Sequence, residues 1–131
     1  MIDLHRQAFK EEAYELLTEL ESSLLELEER PDDQDLIGRV FRAMHTIKGS
    51  GSMFGFDDIA SFTHEVETVF DMVRNGKLSV TSRLVNLTLA ARDQIRAMLD
   101  AADSGAETDL QASAAIIVGL RELAGFGGGE G

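Results

Sequence analysis

The sequence predicts an all-α protein, an antiparallel up-and-down four-helix bundle with an additional fifth helix at its C-terminal end. Three observations carry that prediction. Every long segment upstream of Gly125 repeats its apolar residues every three or four positions, the period of a helix with one buried face. No segment sustains the apolar–polar alternation of a half-buried strand. The breaks between the periodic segments carry Pro31, Gly49-Ser50-Gly51-Ser52, Asn75-Gly76 and Ser104-Gly105, each a helix stop signal.

The first helix is expected from about Asp3 to Glu29, with Phe9, Ala13, Leu16, Leu17, Leu20, Leu24 and Leu27 on its stripe and Pro31 ending it. The second, from about Gln34 to Ser50, buries Ile37, Val40, Phe41, Met44 and Ile47 and is expected to dissolve in Gly49-Ser50-Gly51-Ser52. The third starts near Asp57, buries Ile59, Phe62, Val66, Val69, Phe70 and Val73, and stops at Asn75-Gly76 in a left-handed turn. Thr81 is the expected N-cap of the fourth, whose inward residues are Leu84, Leu87, Ala91, Ile95, Met98 and Leu99, with Ser104-Gly105 closing it. The fifth starts near Asp109 and uses Ile116, Ile117, Leu120 and Leu123, a shorter stripe with more Ala and a lighter packing role. Short connections between four long helices make neighbours antiparallel. Gly125-Phe126-Gly127-Gly128-Gly129-Glu130-Gly131 has no periodicity and reads as a flexible linker or the cut edge of a longer protein. The expected organisation is thus a domain over 1–124 and a Gly-rich tail over 125–131.

Size and charge narrow the function. A chain of 131 residues is one domain that buries about two-thirds of its unfolded surface. Apolar types at 44%, charged types at 27% and a single Pro mark a folded chain rather than a disordered one. Lys plus Arg number 12 against 24 Asp plus Glu, a net charge of −12. That field repels phosphate backbones and anionic headgroups, so nucleic acid and membrane surfaces are poor partners. The absence of Cys excludes a disulfide framework, a thiolate nucleophile and a zinc ribbon. No run approaches the roughly 20 apolar residues of a membrane span and no targeting signal is visible, so the expected location is cytoplasmic. The isolated domain is expected to be monomeric.

Of the three His, His5 lies in a terminus expected to fray and reads as a solvated polar residue. His45 falls about 110° from the centre of the second helix's stripe, at the edge where one side of an imidazole meets the bundle and the other meets water. Edge histidines with a packing role are common, so the neighbours decide. Arg42 and Lys48 stand three residues either side of His45, and Gly49 four residues on, all adjacent on a helix surface. In so acidic a protein, two cations beside an imidazole point to a visiting anion such as phosphate. Gly49 bares backbone beside the ring and leaves room for another macromolecule's active site, unless it merely begins helix termination.

Glu67 lies eight residues after Ile59, as His45 lies eight after Ile37, so both fall about 110° from their stripes. In facing antiparallel helices, equal offsets bring both residues to the same flank, while Glu65 falls on the other. Axially the match is looser, about one turn or roughly 5 Å, which a Glu side chain partly spans. A carboxylate there would accept a hydrogen bond from one ring nitrogen, fix the tautomer and leave the other nitrogen's lone pair exposed as a nucleophile. Alone, Glu67 would read as a solvated helix carboxylate.

The run Phe41-Arg42-Ala43-Met44-His45-Thr46-Ile47-Lys48-Gly49-Ser50, followed by Phe54-Gly55-Phe56 and Thr63-His64-Glu65-Val66-Glu67, resembles the histidine phosphotransfer (HPt) domains of CheA-type chemotaxis kinases. The resemblance spans Leu4 to Ala124, and His-x-x-Lys-Gly followed by Phe-Gly-Phe separates the CheA type from other HPt domains. It implies that His45 is phosphorylated, that Lys48 assists at the phosphoryl group, and that Glu67 orients the imidazole through Nδ1, leaving Nε2 to attack. It places His64 in the same network, although by phase His64 points away from the core. The implied partners are a CheA-type kinase catalytic domain, which supplies the ATP γ-phosphoryl group, and response-regulator receiver domains of the CheY and CheB kind, whose aspartate takes it. No cofactor is implied in this domain: ATP and Mg2+ belong with the kinase, and Mg2+ with the receiver. The chain carries no P-loop and no kinase-type Gly-rich loop.

Two other readings compete. A carboxylate-bridged metal pair needs Glu-x-x-His on two helices, but Arg42 precedes His45 by three and Ser61 precedes His64. A non-catalytic docking module could use Glu11, Glu12, Glu15 and Glu19 as an interaction face, though such a run is usually a solvated one.

Overall fold

The structure is a computed structural model and describes residues 3–102, 104 and 107–125. Five helices follow in order: α1 (Leu4–Glu29), α2 (Gln34–Met53), α3 (Asp57–Arg74), α4 (Ser82–Ala102) and α5 (Leu110–Ala124). Among the described residues there is no strand. Each of α1 to α4 packs on the next and α4 returns to α1, while the diagonal pairs make no backbone approach. That ring is the expected up-and-down bundle, and α5 lies in the groove between α3 and α4.

Thr81 Oγ1 accepts the Leu84 N–H at 3.1 Å, the cap expected for α4. Asp3, Asp33 and Asp109 cap α1, α2 and α5 by accepting backbone N–H bonds, a role not assigned to them from the sequence. Gly76 takes the left-handed conformation expected after Asn75, with φ +77°. Ser104 lies in a turn, whereas Gly105 and the tail residues 126–131 lie outside the described residues.

One boundary differs. The second helix does not dissolve at Ser50 but runs to Met53, so Gly49, Ser50, Gly51 and Ser52 are all helical. Packing overrides the roughly 1 kcal/mol that each Gly costs a helix. Gly51 is buried where a β-carbon would stand 3.5 Å from the Phe9 ring and 3.6 Å from the Phe56 carbonyl oxygen. The Phe56 N–H donates to the Gly51 carbonyl at 2.7 Å, which holds the final turn from outside. Gly49 therefore does not start the termination.

Phe70, Leu17, Leu24, Met44, Ile47, Ile95 and Leu99 fill the centre, and Leu120 brings α5 into the same core. Buried polar groups staple the helices. Arg92 on α4 donates through Nε to the Leu17 carbonyl of α1 at 2.8 Å. Gln94 donates to the Asp109 carbonyl at 3.1 Å and to Ser113 Oγ at 2.8 Å, pinning the start of α5. His5 is exposed but does not stand alone, because its ring lies parallel to that of Phe54 with centroids 6.0 Å apart.

Thr63 is fully buried on α3 and its Oγ1 has no hydrogen-bond partner among the described residues. An unpaired buried hydroxyl carries a desolvation cost of about 1–3 kcal/mol, which an apolar group of the same shape avoids. Thr63→Val is expected to raise the urea midpoint without changing the slope of the transition. A lowered midpoint would show that the hydroxyl is satisfied in solution.

Candidate functional site

The site stands on the α2–α3 hairpin. His45 and Lys48 lie one turn apart on α2, and His64 and Glu67 one turn apart on α3. The Phe54-Gly55-Phe56 turn, with Gly55 at φ +87°, folds α3 back along α2. Arg6 of α1 clamps that turn, donating to the Phe54 carbonyl at 2.8 Å with its guanidinium 4.0 Å over the Phe56 ring.

Glu67 is the hub. Its Oε2 lies 2.5 Å from His45 Nδ1, and its Oε1 lies 2.9 Å from Lys48 Nζ and 3.4 Å from His64 Nδ1. The Glu67 side chain is only 8% exposed while the His45 side chain is 61% exposed. The acceptor is thus buried and the ring it holds reaches into water. Burial pushes the Glu67 carboxyl up, but hydrogen bonds from Lys48 and His45, with their charges, outweigh it and hold the group below its ordinary value. An ionised carboxylate only accepts, so His45 Nδ1 carries the hydrogen, and in the neutral ring Nε2 is the bare nitrogen. A nucleophilic lone pair therefore stands on the exposed side of an oriented imidazole.

The remaining predicted residues divide. His64 joins the cluster at its exposed rim, in agreement with its outward phase. Gly49 is exposed, with nothing within 4 Å of where a β-carbon would stand. Together with Lys48, Ser52, Ala60, Ser61 and His64 it lines a shallow groove beside the cluster. Arg42 is not brought to the ring: its guanidinium folds toward the start of α2, about 3.1 Å from where a Gly38 β-carbon would sit. Glu65 is on the other flank as expected, where Arg121 of α5 donates to both its oxygens at 3.0 Å.

The family model described as "Hpt domain" matches residues 6–105. The chain belongs to the Hpt domain family. Its relatives include the chemotaxis protein CheA of Borreliella burgdorferi, 43% identical over 91 residues, 70% of this chain and 10% of that protein. The CheA of Rhizobium meliloti is 37% identical over 119 residues, 91% of this chain and 16% of that protein. This Hpt domain therefore spans between a tenth and a fifth of the length of such relatives. Among solved structures, the phosphorylated P1 domain of CheA3 in complex with CheY6 from R. sphaeroides has a TM-score of 0.81 at 30% identity, covering 92% of this chain and 95% of that one. The solution structure of the histidine phosphotransfer domain of CheA also has a TM-score of 0.81, at 34% identity, covering 96% of this chain and 93% of that one. No helix among the described residues is long and apolar enough to cross a membrane.

Two residues of the site were not singled out from the sequence. Phe41, given no role beyond the apolar stripe and the start of the matching run, lies nearly parallel to the His45 ring, with centroids 6.0 Å apart and planes 14° apart. Its signal was available, since Phe41 and His45 are four residues apart on one helix. Arg74 at the end of α3, with its Cζ 3.9 Å over the Phe41 ring, gave no sequence signal.

The depressed carboxyl links the cluster to pH. Its stabilisation is fully present above the ordinary value of about 4.5 and is lost as pH falls through the lower folded value. The stability difference between wild type and Glu67→Gln is therefore expected to shrink as pH drops below about 4.5. Urea midpoints at a series of pH values check this, and a constant difference would contradict the linkage.

Proposed function

We propose that this domain is a phosphorelay intermediate that accepts a phosphoryl group on His45 Nε2 from a CheA-type kinase catalytic domain and passes it to the aspartate of a response-regulator receiver. The observation that carries the reading is the pairing of a buried, ionised Glu67 with Nδ1 of an exposed His45. Nε2 attacks the γ-phosphorus of ATP, the N–P bond forms as the bond to the ADP oxygen breaks, and the Nδ1 hydrogen stays in place. The ring gains positive charge in that step, and Glu67 stabilises it across the Nδ1–H bond. In the return step the receiver's carboxylate attacks phosphorus and Nε2 departs with its lone pair, restoring the neutral ring.

Lys48 holds Glu67 with one of its three donors, which leaves two for the oxygens of a phosphoryl group on the neighbouring ring. Gly49 leaves room for a partner's active site, and His64 closes the rim. Arg42 lies too far along α2 in its present rotamer and would have to swing to reach the anion. ATP and Mg2+ come with the kinase and Mg2+ with the receiver, in the cytoplasm where the nucleotide is found. The related structures, a phosphorylated P1 domain of CheA3 bound to CheY6 among them, support this assignment of partners.

Incubation with a CheA-type catalytic domain and Mg-ATP is expected to add one acid-labile phosphoryl group, read by intact mass, and a receiver domain added afterwards is expected to remove it. Failure to take up the group under conditions in which a CheA phosphotransfer domain does so would overturn the reading.

A further inference from the structure

The His45 imidazole is restrained by two unlike contacts. Glu67 holds Nδ1 at 2.5 Å. One hydrogen bond fixes a point and a direction, but the terminal torsion of His is a broad two-fold well. A side chain 61% exposed has room to turn about that bond. The second contact is Phe41, whose ring lies within 14° of parallel to the imidazole at 6.0 Å between centroids, inside the range where aromatic pairs attract.

Phe41 is in turn held from α3. The Arg74 guanidinium lies 3.9 Å over its ring, within cation–π distance. Arg74 Nη2 donates to Asp71 Oδ1 at 2.9 Å, which steadies the guanidinium on the last turn of α3. The row Asp71, Arg74, Phe41, His45, Glu67 thus begins and ends on the same helix and passes through the ring between. Glu67 sets which nitrogen is bare, and Phe41 limits the plane in which that nitrogen's lone pair lies.

We propose that Phe41, steadied by Arg74, is a positioning residue for phosphoryl transfer: it sets the plane of the His45 ring so that the Nε2 lone pair meets phosphorus in line with the departing group. This rests on His45 being the phosphoacceptor. The lone pair of an imidazole nitrogen lies in the ring plane, so a tilt of the ring is a misaimed attack. The misaim matters most when phosphorus is held by a macromolecular active site that does not follow the ring. Phosphoramidate, a small donor free in solution, approaches along whatever direction the lone pair takes.

The test compares wild type, Phe41→Leu, Phe41→Tyr and Arg74→Met. Each is labelled by a CheA-type catalytic domain with Mg-ATP over a range of domain concentrations, and separately by phosphoramidate, with uptake read at His45 by peptide mass because His5 and His64 are imidazoles too, and with the folded fraction taken from circular dichroism. Carbon-13 relaxation of the His45 ring reports its orientational freedom. Phe41→Leu is expected to lose about fivefold or more in kcat with the kinase, with KM and phosphoramidate labelling within about twofold of wild type and the ring more mobile. Phe41→Tyr keeps the flat ring and should stay near wild type. Arg74→Met changes an exposed residue without disturbing the core, and should show the same pattern at smaller amplitude even if Phe41→Leu folds poorly.

Unchanged kcat in both Phe41→Leu and Arg74→Met overturns the proposal. So does a raised KM with kcat intact, which would make Phe41 a partner contact, or an equal loss with both donors, which would place its effect on ring reactivity. Loss in Phe41→Tyr matching that in Phe41→Leu also overturns it. If wild type takes no phosphoryl group from either donor, the phosphoacceptor reading itself has failed, a result distinct from all of these.

Discussion

His45→Gln is expected to abolish acid-labile phosphorylation of the domain while leaving the bundle folded. The reason is the electronic structure of the replacement: an amide nitrogen shares its lone pair with the carbonyl and does not attack phosphorus, whereas Nε2 of a neutral imidazole does. His5 and His64 are also present, but neither has the pairing that defines the site. The His5 ring lies against Phe54 at the far turn, and His64 stands 3.4 Å from the carboxylate oxygen that Lys48 already occupies at 2.9 Å. The His45 side chain is 61% exposed, but it also donates to the buried Glu67 Oε2, so its replacement is expected to cost about 0.5–1.5 kcal/mol, the Gln amide N–H being able to take over part of that bond. Intact mass after incubation with kinase and ATP, beside the circular dichroism spectrum, checks both halves. Equal labelling of wild type and variant would move the phosphoacceptor elsewhere.

Glu67→Ala is expected to slow labelling about tenfold or more, since the ring loses both the group that selects its tautomer and the charge that stabilises the phosphorylated imidazole. The stability expectation differs from what sequence alone supports. Read as a surface carboxylate, Glu67 would cost within about 0.5 kcal/mol when removed. In the structure it is 6% exposed and accepts from His45 and Lys48. Its removal leaves a half-buried ammonium without its partner, so a loss of about 1–3 kcal/mol is expected. The helical spectrum should survive, with the melting temperature lowered. Labelling at the wild-type rate would show that the ring needs no carboxylate, and collapse of the helical signal would make the residue structural.

These two residues show how far sequence reasoning reaches. The shared flank of His45 and Glu67 was readable because rotation per residue is set by the backbone hydrogen bonds of any α-helix, whatever surrounds it. Their separation along the axis was not. The expected offset of about one turn came from ending the second helix at Ser50, whereas α2 continues to Met53. The added residues move the hairpin's pivot outward, and the Glu67 carboxylate reaches His45 Nδ1 at 2.5 Å. Helix propensity argued for the earlier stop, and Phe9, Phe56 and Ala60 packed around Gly51 reversed it.

Arg42 illustrates the same limit at side-chain scale. Spacing placed it beside His45, yet long side chains on a helix lean toward its N-terminus, and its guanidinium settled over Gly38. Lys48, also long, leans back by the same rule and so arrives at Glu67 beside the ring.

The periodic stripes, the Thr81 cap and the left-handed glycine after Asn75 were legible from the chain, and with them the number of helices, their order and the face each one buries. Those features depend on backbone geometry and near neighbours, which sequence contains in full. How deeply Glu67 is covered, where α2 ends, and that Phe41 lies between Arg74 and the imidazole depended on how α2 and α3 settle against each other and against α1. Helix packing sums contacts between residues far apart in the chain, so it emerged only once the bundle was assembled.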